Sequence, residues 1–452
     1  MIDIHGVNEP KYIQIYRTLK ADILKGNLKA NQKLPSLRKL SSTLRVDVST
    51  CIHSYALLEK EKLIYTLPGS GSYVSLSVQE KNEKPSSALR FDIGRPSATM
   101  FPLNDFKKAV ERAMTFGVEE LFEYREDAGY APLSSALESY LLSQKIETKN
   151  NKIIVVSGAQ QGLNLVAHGI LGYGDFVFYE EPSYHGALEV FRSLRCKTFA
   201  VPLLKDGLDT GILKKNIKRF KPQLVYIMPN YQNPTGITYS LDKKREILNL
   251  ADEYDFLIVE DDYLSDIAFS IFGKPDTLKS MDKNGRVIYI KSFSKILMPG
   301  LRIGFILIPE RFFAAVLQKK RQNEIATPNI IQKSLYIYMK EYDWNRHLNL
   351  MSPSYVRRFN IFKRILEEEF KDIVDFMMPS GGFNAFFYLR ENRKIDELIE
   401  FLKNKDIYIA PGYLFFSESG NAFRISVASF EEDDIAPYMM KLKTALTEFM
   451  KN

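Results

Sequence analysis

At 452 residues the chain is too long for one ordinary domain, and two or three are expected. Its 45% hydrophobic and 26% charged residues can build a large core, which excludes a chain dominated by disorder. The net charge of +7 is mild, yet residues 1–78 hold eleven lysines and arginines against six acids, an excess that suits a phosphate-backbone partner there.

Along residues 11–25, Tyr12, Ile15, Tyr16, Leu19 and Ile23 recur at helical spacing, and Gly26 stops that helix. Ser36, after Leu34-Pro35, caps a short second helix through Leu44; Asp47 caps a third through about Lys62. Short β runs around Ile64-Tyr65 and Tyr73-Val74 flank Pro68-Gly69-Ser70-Gly71, a hairpin signal. Residues 77–90 are polar, charged and carry Pro85, the composition of a linker. From residue 91 the pattern turns α/β. Apolar runs at 153–157, 176–179, 224–228, 256–259 and 287–290 alternate with longer helical stretches, which predicts a mainly parallel sheet covered on both faces. In such sheets the ligand site gathers at the carboxyl ends of the strands.

Cys51 and Cys196 lie far apart without CxxC spacing, and the five histidines show no ligand spacing, so neither a disulfide framework nor a metal site is expected. Asp3, His5 and Glu9 break any apolar run at the start, and no stretch approaches the roughly 18–20 apolar residues of a membrane span. The expectation is a cytoplasmic protein without a membrane partner.

The segment from Leu24 to Ser75, with Leu34-Pro35-Ser36, Arg38, the helix at Thr50 and the Gly-Ser-Gly-Ser-Tyr-Val wing, resembles the winged helix-turn-helix of GntR-type repressors. The resemblance implies DNA contacts from Arg38, Ser49, Thr50 and the wing around Gly69 and Gly71, with the first turn of the third helix in the major groove. This chain departs from the family at Arg45, usually a glycine, at Asp47-Val48, usually Ser-Arg, and at Cys51, usually valine.

The second half carries Ser292-Phe293-Ser294-Lys295 followed by Pro299-Gly300-Leu301-Arg302-Ile303-Gly304. Here the chain resembles fold-type I aminotransferases and, with its first domain, the MocR (GabR/PdxR-like) subgroup of GntR regulators. The resemblance implies a winged helix-turn-helix at 1–76 and a linker at 77–90. A pyridoxal-phosphate-dependent transferase fold follows at 91–452, with a small α+β subdomain from about 335. Lys295 would supply the amine that takes the cofactor aldehyde. Ser292, Ser294 and Arg302 would hold the phosphate with Ala159 and Gln160, which open a helix after Ser157-Gly158. Glu260, Asp261 and Asp262 compete to pair the pyridinium nitrogen. The family pattern takes the acid two residues before Tyr263, hence Asp261, leaving Glu260 and Asp262 structural or solvated. Tyr263 and Asn233 would hydrogen-bond the ring hydroxyl oxygen, Tyr184 would stack on the ring, and Tyr124 matches a tyrosine that reaches the neighbouring subunit's phosphate. Arg424, in an apolar strand and so in need of an anion, matches the arginine that pairs a substrate carboxylate. Gly186 stands where some members place an effector-binding arginine. Leu133-Ser134-Ser135 replaces a Leu-Arg pair, and the helix around Arg346-His347 lacks a basic cluster.

The resulting expectation is a homodimeric regulator that binds an operator with paired half-sites and senses pyridoxal phosphate or an amino compound. A slow aminotransferase-type half reaction is allowed as a side activity. The alternative is a working aminotransferase whose first domain does not read DNA.

Overall fold

The structure, a computed structural model, describes residues 9–24, 27–29, 31–67, 69–75, 88–122, 128–390, 393–416 and 420–451. Two compact units divide the chain, Met1–Ala88 and Leu89–Asn452.

In the first unit, helices α1 (Lys11–Leu24), α2 (Leu37–Leu44) and α3 (Val48–Lys60) precede strands β1 (Ile64–Leu67) and β2 (Gly71–Val74). Ile15, Leu19 and Ile23 recur every fourth residue on α1 and are buried with Leu40, Cys51, Tyr55 and Leu58 from α2 and α3. Ser36 caps α2, its Oγ accepting the Lys39 N–H at 3.3 Å. Asp47 does occupy the N-cap of α3, but its side chain makes no cap bond. The helix starts instead from Thr50 N–H to Asp47 O at 3.0 Å. Two bonds tie α3 down: Ser54 Oγ to Tyr12 O at 2.9 Å and Tyr55 Oη to Pro35 O at 2.8 Å. The wing pairs Ile64 with Val74 and Tyr65 with Tyr73, whose rings stack at 5.6 Å. Gly69 and Gly71, at φ +76° and +116°, make the turn between them. Gly26 and Pro68, read as helix stop and turn residue, lie outside the described residues.

The second unit opens with β3 (Leu89–Arg90), the last two residues of the expected linker; they form a strand. Helices α4 (Leu103–Thr115) and α5 (Ala131–Ser143) follow. An alternation then runs β4 (Asn151–Val156), α6 (Ala159–Ile170), β5 (Phe176–Glu181), α7 (His185–Ser193), β6 (Lys197–Leu204), β7 (Gly207–Leu208), α8 (Thr210–Phe220), β8 (Leu224–Ile227), α9 (Leu241–Tyr254), β9 (Leu257–Asp262), α10 (Leu278–Met281), β10 (Val287–Ser292) and β11 (Gly304–Pro309). These strands make one eight-stranded sheet, ordered β4-β11-β10-β9-β8-β5-β6-β7. Its centre, from β10 through β9, β8 and β5 to β6, is parallel. β11 runs against both of its neighbours, so the sheet is mixed. Buried side chains on its two faces pack under helices, as the continuous apolar runs require.

Helices α11 (Glu310–Asn323), α12 (Asn329–Glu341) and α13 (Trp344–Ile365) lead to a second sheet. It is built from β12 (Asp375–Phe376), β13 (Asn384–Tyr388), β15 (Ala410–Pro411) and β16 (Ala422–Ser426), ordered β12-β13-β16-β15. Buried side chains of helices α14 (Ile395–Lys403) and α15 (Glu432–Lys451) share a hydrophobic core with those of β13 and β16, and β14 (Ile407–Tyr408) pairs with β3.

Candidate functional site

The parallel strands β5, β8, β9 and β10 end on one side of the large sheet, where successive loops enclose a cavity of about 260 Å³. Lys295, Asp261, Tyr263, Asn233, Tyr184, Ala159, Gln160, Ser292, Ser294, Arg302 and Arg424 all line it. Residues more than 250 positions apart in sequence thus share one pocket. Tyr124 lies outside the described residues.

One end of the cavity is cationic and rich in donors. Arg302, in the left-handed region at φ 48°, turns back and donates Nη1 to Ser294 Oγ at 3.3 Å and Nη2 to Ser157 O at 3.1 Å. Ser292 Oγ receives the Ser294 N–H at 3.2 Å. Gly158 leads into α6, whose first N–H groups have no partner within the helix. A Cβ on Gly158 would come within 2.4 Å of Arg302 Nη2, so the glycine makes room for the guanidinium. These donors converge as a doubly charged phosphate requires.

At the cavity floor Asp261 is buried and accepts the Tyr226 hydroxyl at 2.8 Å. Burial first, and the neighbouring Asp262 charge, push its carboxyl up to about 7, against the Tyr226 bond and Lys291. Among the described residues it has no ion-pair partner. The adjacent acids behave otherwise, and neither is solvated. Glu260 accepts the Leu278 and Lys279 N–H groups at 2.7 Å each, holding the start of α10. Asp262 pairs with Lys291 at 2.9 Å and accepts the Ser265 N–H at 3.0 Å. Burial opposes its charge, but Lys291 and hydroxyl donors hold it below the usual carboxylate range.

Lys295 extends into the cavity and donates Nζ to Gly94 O. Burial, then the charges of Arg424 and Arg302, lower its ammonium to about 8. Its loop is clamped from α13: Tyr355 donates to Lys295 O, and His347 Nε2 meets Ile296 O at 2.6 Å. His347 is buried and stacked on Trp344 at 4.8 Å.

Opposite Lys295, Arg424 leaves β16 with Nη2 on Asp92 O at 2.7 Å and Nη1 on Asn233 Oδ1 at 3.3 Å, its face over Phe415. Its Nε is buried without a partner, and among the described residues no carboxylate pairs with it. Tyr263 donates its hydroxyl to Tyr231 O. Gln232 fixes the turn that presents Asn233, donating to Glu180 Oε1 at 3.0 Å and Pro182 O at 2.8 Å. Gln160 Nε2 bonds Gly186 O at 2.9 Å, and a Cβ at Gly186 would lie 2.2 Å from Gln160 Oε1 and 2.7 Å from the Tyr184 ring. Gly186 is therefore closed to an arginine side chain without rearrangement.

The cavity is also lined by Pro299, from the Pro299–Gly304 motif, and by Gly94, Met228 and Asn384, which no sequence motif had singled out. Asn384 had a signal, a lone amide within the apolar run from Phe383 to Phe387, and its buried Oδ1 has no partner. Tyr226 and Tyr355 had none, because only the fold brings them to Asp261 and Lys295.

In the first unit Arg38 is exposed on α2, and Ser49 and Thr50 open α3, Ser49 exposed and Thr50 half-buried. Gly69 and Gly71 form the tip of the wing. Among the described residues no group of His, Cys, Asp and Glu could hold a metal ion, and no helix is long and apolar enough to cross a membrane.

The family described as Aminotransferase class I and II matches residues 88–442. The chain belongs to that family. The family Bacterial regulatory proteins, gntR family, matches residues 11–74 ahead of the aminotransferase-like domain. The same pairing agrees with two Bacillus subtilis relatives, each named an uncharacterized HTH-type transcriptional regulator. YdfD is 28% identical over 97% of each chain, and YcxD is 32% identical over 77% of this chain and 78% of its own. The aminotransferase-like domain is similar to a Pyrococcus horikoshii kynurenine aminotransferase solved in complex with PMP. That chain is 28% identical, with a TM-score of 0.77 over 84% of this chain and 96% of its own. The chain is thus a GntR-type helix-turn-helix joined to an aminotransferase-like domain, the MocR-like arrangement.

Proposed function

We propose that the chain is a transcription regulator whose first unit binds operator DNA and whose aminotransferase-like domain holds pyridoxal phosphate on Lys295. It responds to that cofactor or to an amino compound. One observation carries the reading: a cavity in which a lysine lowered to about 8, a buried unpaired carboxylate and a cationic donor cluster face one another, in a chain that also carries a gntR-family segment.

The residues fit the cofactor. Arg302, Ser292, Ser294 and the first-turn N–H groups at Ala159 and Gln160 would hold its phosphate. Asp261, otherwise a buried acid without a cation, would keep the proton on the ring nitrogen. Tyr263 and Asn233 would orient the ring hydroxyl oxygen, and Tyr184 would cover the ring face. When bound, the cofactor supplies an aldehyde that accepts amines and a ring that withdraws electrons. Lys295, neutral above about pH 8, offers the nucleophilic amine. Arg424, with its partnerless Nε, would take the carboxylate of an amino-acid-like effector. The protein would act as a cytoplasmic homodimer on paired half-sites, with Tyr124 reaching the neighbouring subunit's phosphate and Arg38, Ser49, Thr50 and the wing at Gly69 and Gly71 touching DNA.

A second reading, a working aminotransferase with a first unit that does not read DNA, is favoured by the completeness of the cavity. Binding of the purified protein to DNA upstream of its own gene, with and without pyridoxal phosphate and candidate amines, separates the two. Salt-dependent, sequence-specific binding that shifts with ligand, and loses that shift in Lys295→Ala, is expected. Steady turnover of an amino donor with a keto acid, and no specific DNA binding, would overturn the regulator reading.

A further inference from the structure

We infer that α3 selects its DNA site through the methyl groups of thymine, contacted by Val48 and Ile52; this rests on the DNA-binding reading above. Val48 and Ile52 lie four residues apart, one above the other on a single helix face. They are 39% and 48% exposed, whereas Cys51, Ser54, Tyr55 and Leu58, on the adjoining face of the helix that turns to the core, are buried. The core of the first unit is complete without them. Two exposed branched aliphatics at the start of a helix therefore contribute little to folding and offer an apolar surface to a partner.

The chemistry of that face narrows the partner's recognised group. Residues 48–55, Val-Ser-Thr-Cys-Ile-His-Ser-Tyr, include no arginine, lysine, asparagine or glutamine. Bidentate pairing to the edge of guanine or adenine, the usual source of direct readout, is absent from these two turns. Beside the aliphatic pair, Ser49 and His53 offer only single hydrogen bonds. In the major groove an apolar contact distinguishes one base, because only thymine projects a methyl group. The neighbouring helix supplies the complementary charge. Arg38, Lys39 and Arg45 are exposed and form no ion pair among the described residues, so phosphates can anchor the unit while α3 presents its apolar face to the bases.

The test starts by selecting bound duplexes from a random pool with the full-length protein. Each thymine of the selected half-site is then replaced by deoxyuridine, which removes the 5-methyl and leaves every hydrogen-bonding edge. Expected is a loss of about fourfold in affinity at one or two positions per half-site, the effect of exposing one buried methyl. Val48→Ala or Ile52→Ala should abolish that loss at one position while leaving the slope of affinity against salt unchanged. The deoxyuridine series acts on the DNA, so its outcome does not depend on whether a variant folds. Specific binding that tolerates deoxyuridine everywhere would overturn this inference alone. Failure to enrich any sequence would overturn it together with the DNA-binding reading, and capture of a protein through the Val48–Ile52 face in place of DNA would do the same.

Discussion

Lys291 and Lys295 stand four residues apart and meet opposite electrostatics. Lys291 is buried between Asp262 at 2.9 Å and Asp266 at 2.5 Å. Burial opposes its charge, but the two carboxylates outweigh it and hold the ammonium above its ordinary value. Lys295 faces burial together with Arg424 and Arg302, and falls to about 8. Only the second lysine can present a neutral amine near neutral pH. Capture of pyridoxal phosphate, followed by absorbance in stopped flow, should therefore accelerate about tenfold per pH unit up to a midpoint near 8 and then level off. A midpoint near 10.5 would show that the field in the cavity does not act on Lys295. The same shift has a stability consequence. A base whose folded pKa is depressed binds its proton more tightly when unfolded, so its penalty is present below about 8 and fades as pH rises toward 10.5. Replacing Lys291 by Met leaves Asp262 and Asp266 as uncompensated buried charges, and should cost about 3–5 kcal/mol in denaturant unfolding. Because Lys291 holds Asp262 low, that cost should be smaller at pH 5 than at pH 8, as protonation of the orphaned Asp262 relieves it. An equal cost at both values would contradict the charge argument.

At the scale of elements, the turn from β4 into α6 shows how backbone shape serves the site. Gly158 sits at φ +90°, with space for Arg302 only because it has no Cβ. Gly158→Ala should weaken pyridoxal phosphate binding about tenfold or more, since the Cβ displaces the Arg302 guanidinium and a hydrogen bond to a charged group contributes about 1.5–3 kcal/mol. Equilibrium dialysis measures the loss, with far-ultraviolet circular dichroism as the check on folding; unchanged affinity would mean that Arg302 is not held here. Much of this architecture was legible because strand-terminal motifs are local. The Ser157–Gln160, Asn233–Gly236, Glu260–Tyr263 and Ser292–Arg302 segments each follow a buried apolar run, and parallel strands bring their ends together. What was not legible depends on partners distant in sequence. Apolar periodicity cannot say that β11 inserts antiparallel between β4 and β10. A tyrosine within the apolar run of β8 looks like core until β9 places Asp261 against its hydroxyl. Three consecutive acids likewise alternate across a strand without revealing that both outer carboxylates are buried and hydrogen-bonded. Residue type places Asp47 at the N-cap of α3, where it stands, but cannot tell that its side chain makes no cap bond.

For the whole molecule, the question is how a ligand in the second unit changes the behaviour of the first. A ligand shifts DNA affinity only if it binds the two conformations of the chain unequally. The coupling is a single free energy, so it must be the same in both directions. If an amino compound changes operator affinity by some factor, saturating operator should change the affinity for that compound by the same factor, typically about 5–150-fold. Fluorescence anisotropy of labelled operator gives the first number, and absorbance titration of the cofactor-loaded protein with and without operator gives the second. Lys295→Ala should return both factors to one while retaining operator binding, because α2, α3 and the wing fold around a core of their own. Unequal factors at equilibrium would place the ligand's effect outside this two-site scheme, for instance in a change of oligomeric state that the two titrations sample at different protein concentrations.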